Sequence, residues 1–101
     1  MELPAFLASL SAAAPPAGLG APLVALWHDA RGDWQAAHQA VQAHEGEPQS
    51  DWVHAYLHRK EGDNANAGYW YRRAGRAPGS GPLAAEWQAI AAAMLGAAAN
   101  G

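Results

Sequence analysis

The large apolar side chains follow a helical period along most of the chain. Leu3, Phe6, Leu7 and Leu10 stand at i, i+3, i+4 and i+7, the spacing of one face of an amphipathic helix. They predict an N-terminal helix within 3–14. Leu23, Leu26, Trp27 and Ala30 predict a helix from Pro22 to Arg31, with the proline in its first turn. Trp34, Ala37 and Val41 predict another, capped by Asp33 and ending near Glu45–Gly46. Trp52, Val53, Tyr56 and Leu57 mark a third, capped by Ser50 or Asp51 and stopped by Gly62. Ala67, Trp70, Tyr71 and Ala74 mark a fourth, capped by Asp63 and closed by Gly75. The longest stripe is Leu83, Trp87, Ile90, Ala91, Met94 and Leu95, which predicts a C-terminal capping helix over 82–96 followed by a disordered tail, 97–101. Pro/Gly-rich stretches at 15–22 and 76–82 separate these parts as loops. The chain is therefore expected to be all-α, one domain over 1–101. Five to six helices are expected: two helix-turn-helix hairpins over 22–75, between flanking N- and C-terminal helices.

The two hairpins repeat. A shift of 30 residues brings Gly32–Asp33 onto Gly62–Asp63, His28 onto His58, Ala25 onto Ala55 and Ala37 onto Ala67, and pairs Leu23 with Val53 and Trp27 with Leu57. Each copy reads as helix, tight Gly-Asp turn, helix. In the second copy, His54-Ala55-Tyr56-Leu57-His58-Arg59-Lys60-Glu61-Gly62-Asp63 runs on to Tyr69-Trp70-Tyr71-Arg72-Arg73-Ala74-Gly75. These residues resemble a tetratricopeptide-type repeat, and the Trp-Tyr-Arg-Arg-Ala ending is similar to Sel1-like repeats. The unit is shorter than a full tetratricopeptide unit and only two copies are present. The resemblance implies helical hairpins that bind a protein or peptide partner, and it supplies no catalytic residues. The chain as a whole is similar to small bacterial proteins.

Composition narrows the function classes. The 101 residues include no cysteine, which excludes disulfides, a thiolate nucleophile and cysteine-ligated zinc. Much of the apolar half is alanine, so the five tryptophans must supply a large share of the core. A formal net charge of -3 argues against nucleic acid as partner. No apolar run approaches a membrane span, and Met1-Glu2-Leu3-Pro4 lacks the basic start of a signal peptide, so the expected location is cytoplasmic.

The chemistry concentrates on the third predicted helix. At 100° per residue, Asp51, His54, His58 and Glu61 share an arc of about 80°, nearly opposite Trp52, Val53 and Tyr56. Such a stripe is expected to face solvent. It can line a groove for a protein or peptide partner, with His28 on the equivalent face of the first helix and Arg59, Tyr69 and Arg72 beside it. The arginines and Tyr69 suit an acidic partner. Alternatively, the same histidines bind a metal or a small ligand, with enzymatic use left open: His54 and His58, spaced i, i+4, form a metal site with His28 and Asp51, for Zn, Cu or Ni. A third possibility is a homodimer through the alanine-rich last helix. His38 lies on the apolar side of its helix, four residues after Trp34, and is expected to be a core histidine held by Asp29 or a tyrosine hydroxyl. Serines at helix starts have no nearby base, and no phosphate-binding loop is present, so nothing nominates a catalytic residue.

Overall fold

The computed structural model describes residues 1–100, with side chains through Gly96. Six α-helices account for the fold, and no strand occurs among the described residues. They are α1 (Leu3–Ala8), α2 (Ala21–Ala30), α3 (Trp34–Gln42), α4 (Pro48–Lys60), α5 (Asn64–Ala74) and α6 (Leu83–Asn100). None is long and apolar enough to cross a membrane.

The two Gly-Asp turns have the same construction. Gly32 and Gly62 take φ of +82° and +90°, a conformation that disfavours any Cβ. The amides of Asp33 and Asp63 then reach back to the carbonyls of His28 and His58, and the amides of Gly32 and Gly62 reach those of Asp29 and Arg59. This is the Schellman arrangement, which satisfies the last carbonyls of α2 and α4. Each aspartate at once caps the next helix, accepting from the amide of Ala36 or Asn66. One dipeptide thus ends one helix and starts another, and the hairpins α2–α3 and α4–α5 follow.

α4 lies at the centre. It packs on α5, α3, α2 and α6, so little of its surface remains for water. Val53, Tyr56 and Leu57 join Leu23, Leu26, Trp27, Val41, Trp87, Ile90 and Leu95 in the main core. On another side Ala55 packs with Ala67, Trp70 and Tyr71 of α5. Indole N–H groups tie the layers together: Trp27 donates to the carbonyl of Ser9, Trp34 to Leu57 and Trp87 to Leu26. Phe6 of α1, fully buried, stacks on Trp87.

Several predicted boundaries move. The N-terminal helix is shorter than 3–14. After Ala8 it tightens into a 3-10 turn over Ser9–Ser11, whose hydroxyls bond the carbonyls of Phe6 and Ala8 and compete with the α-helical pattern. α3 stops at Gln42. α4 begins at Pro48, so Ser50 and Asp51 are not caps but buried residues of its first turn. α6 continues past Gly96 to Asn100, carried by the surrounding alanines. Of the predicted tail, Gly101 and the side chains of 97–100 lie outside the described residues.

The repeated turn yields a stability test. Gly62→Ala puts a Cβ at positive φ and Asp63→Ala removes a cap. Each is expected to cost about 1 kcal/mol, read as a lower urea midpoint at unchanged slope.

Candidate functional site: a buried histidine triad

The position of α4 reverses the expected role of its polar stripe. Asp51, His54 and His58 are 1%, 2% and 6% exposed, not solvated. The reason is that α3 and α5 cover the side on which the histidines project. From α3 comes His38, half-buried. Its Nε2 lies 3.0 Å from Nε2 of His54, and its ring is 5.2 Å from that of His58. The ligating nitrogens of His38, His54 and His58 all lie within 4.8 Å of one another. Two indoles wall the triad. Trp34 stacks on His38 at 4.8 Å and meets His58 edge-on, while Trp70 stacks on His54 at 3.9 Å.

Each ring is held differently. Nδ1 of His58 is 2.6 Å from the Glu61 carboxylate. A carboxylate only accepts, so Nδ1 of His58 donates, and Nε2 is the ring nitrogen left on the side of the other two histidines. The Asn66 side-chain amide nitrogen lies 3.3 Å from that Nε2. Between His38 and His54 one ring donates and the other accepts. Nδ1 of His54 is buried without a hydrogen-bond partner. Burial, and then the neighbouring His38 and His58, push the His54 pKa down to about 4. The His38 pKa is also lowered, by burial first and by His58 second. Both rings are therefore neutral at pH 7; the accepting Nε2 lone pair is engaged by the other ring's hydrogen, and a change of tautomer in the donating ring frees both nitrogens for a Lewis acid.

The other expected site residues are dispersed. His28 stays on α2 with its ring edge against Trp27 and does not join the triad. α2 meets α4 through apolar core residues and the Asp29–Lys60 ion pair, and α3 rather than α2 supplies the third histidine. Asp51 accepts from the Gly46 amide at 3.1 Å, faces Arg73 at 3.9 Å and does not join the cluster of ligating atoms. Arg59 is spent internally, on Glu86 at 2.7 Å and on the Gly81 carbonyl. Tyr71 also donates to Glu86, and burial together with that bond raises its pKa. Tyr69 and Arg72 lie on the outer face of α5, where Tyr69 is 44% exposed.

His38 is the member that helical spacing left out. Its bond runs to His54, not to Asp29 or a tyrosine. Asp29 is itself buried and held by Lys60 at 2.8 Å and by Tyr56. The available signal was the coincidence of a histidine on the apolar face of α3 with a histidine pair on the next helix. A second group, His58, Glu61 and Asp63, also has ligating atoms within reach of one another, but both carboxylates are exposed and Asp63 is engaged as a cap.

Comparison with family models, with curated proteins and with solved structures found no match for the chain.

The lowered pKa values set a pH dependence. An unfolded histidine takes up its proton near pH 6.5, whereas native His54 resists until about 4. The unfolded state therefore binds more protons across this window. Stability is full above about 6.5, falls as the pH drops toward 4, and levels below. Urea midpoints measured across that range are expected to show this slope in the metal-free protein, and His54→Leu is expected to flatten it.

Proposed function

We propose that the protein binds a divalent transition metal ion through His38, His54 and His58. The observation that carries this is the convergence of three imidazole nitrogens, two of them 3.0 Å apart, on one buried point between two tryptophans. Zn–N bonds of about 2.0–2.1 Å in a tetrahedron place ligand nitrogens about 3.3 Å apart, close to the His38–His54 separation. Small ring rotations bring in His58. The Glu61 carboxylate behind His58 is the outer-shell partner that orients a ligating imidazole and raises its basicity. Three imidazole nitrogens without a thiolate suit Zn, with Cu and Ni as the other candidates. Three protein ligands leave the fourth position to solvent or substrate. The half-buried His38 and Asn66 mark the side from which it is reached.

This reading replaces His28 and Asp51 in the expected ligand set with His38. It also withdraws His54, His58 and Asp51 from any surface groove, because side chains this deeply buried offer nothing to a peptide.

Isothermal titration of chelator-treated protein with zinc is expected to give one site per chain. His38→Ala, His54→Ala and His58→Ala should each abolish it. Glu61→Gln should weaken it about 10- to 100-fold, whereas His28→Ala should leave it unchanged. Bound zinc should raise the melting temperature of the native protein and of His28→Ala, raise that of Glu61→Gln less, and leave that of the three triad variants unchanged. Loss of binding in His28→Ala, or its survival in His38→Ala, would sink the assignment.

A further inference from the structure

The outer end of the second hairpin carries a different kind of surface. Of the six Lys and Arg residues in the chain, five fall between positions 59 and 76. Two are consumed inside the fold, Arg59 by Glu86 and Lys60 by Asp29. The other three, Arg72, Arg73 and Arg76, are exposed and gather where α5 ends beside the first turn of α4. Aromatic rings support two of them. The Arg76 guanidinium lies 3.9 Å from the ring centroid of Trp52. That of Arg73 lies over both Trp70 and Tyr69, at 5.2 and 5.7 Å, and donates to the Tyr69 hydroxyl. Among the described residues, neither Arg72 nor Arg76 has a carboxylate partner, and Asp51 is 3.9 Å from Arg73.

We propose that Arg72, Arg73 and Arg76, with Tyr69 and Trp52, form a docking surface for an acidic peptide segment of a partner protein. A guanidinium held over an aromatic ring has lost part of its conformational freedom, and guanidinium N–H groups not used inside the fold are donors for pairing with carboxylates. Exposed tyrosine and half-buried tryptophan beside arginine is the composition of interface anchors. Charge supplies the occupant. The chain is net negative at -3, so an acidic partner is repelled elsewhere and meets attraction at this cluster. The same net charge penalises a polyphosphate, charged at every residue, more than a peptide whose carboxylates are interspersed with neutral residues. This surface is independent of the triad and stands whether or not a metal binds there.

The test uses fluorescence anisotropy at low salt with a labelled peptide of about a dozen alternating Glu and Ser residues. A Gln/Ser peptide and a thymidine oligomer of similar length serve as the neutral and polyphosphate probes. The Glu/Ser peptide is expected to bind in a salt-sensitive manner and the Gln/Ser peptide not at all. Arg72→Gln/Arg76→Gln should weaken binding about fivefold or more. Gln35→Glu/Gln42→Glu changes the net charge by the same amount on α3 and should have a smaller effect. Circular dichroism confirms that both double variants are folded. The proposal is overturned by absence of peptide binding, by equal loss in the two double variants, or by tighter binding of the oligonucleotide than of the peptide.

Discussion

The indole N–H of Trp34 bonded to the carbonyl of Leu57, at 2.9 Å, seats α3 against α4. A buried indole donor requires an acceptor, and the Leu57 carbonyl lies next to His58 in the chain. With that bond made, His38, one turn beyond Trp34, comes against His54 and His58. The same indole stacks on His38 and touches the edge of His58. A single side chain thus joins two helices, fixes their register and forms one wall of the histidine cluster. On the opposite side Trp70 performs the same service from α5 by covering His54.

This construction explains how a chain with few large aliphatic residues tolerates several buried polar groups. Each sits in a local arrangement: Asp29 with Lys60 and Tyr56, Glu86 with Arg59 and Tyr71, Asp51 with the Gly46 amide, His58 with Glu61 and Asn66. Pairing offsets part of the desolvation cost. The exception is Nδ1 of His54, which is buried with no partner. Leaving a polar nitrogen in that state costs stability, and such costs tend to collect at sites kept for function. Here the uncompensated ring is also the one most resistant to protonation, and it lies between the other two imidazoles.

The second hairpin consequently presents two chemistries on its two sides. Its inner side contributes Trp70 and Asn66 to the histidine triad, and its outer side presents arginines on aromatic rings. Trp70 belongs to both, with His54 against one side of its ring and Arg73 nearby at 5.2 Å. The first hairpin has the same turn but not this duality. In the repeat register Gln39 and Ala40 stand where Tyr69 and Trp70 stand in the second copy. The repeat therefore conserves the hairpin architecture while the side chains outside the turn diverge.

The sequence by itself determined the helices, their hairpin pairing and the apolar stripes. These depend on local rules: the 3.6-residue period, the Gly-Asp turn and the aspartate caps. The stripe Trp87, Ile90, Ala91, Met94 and Leu95 is the buried face of α6, as its spacing alone indicates. What a single helix cannot reveal is how many neighbours it has. The stripe Asp51, His54 and His58 has the same period whether water or another helix lies against it. Burial of that stripe was decided by the placement of α4 between α3 and α5. The choice of His38 over His28 was likewise tertiary. Equivalent positions in a repeat share a backbone environment, but which helix packs on which face is set by interhelical contacts such as that of Trp34 with Leu57, between residues far apart along the chain.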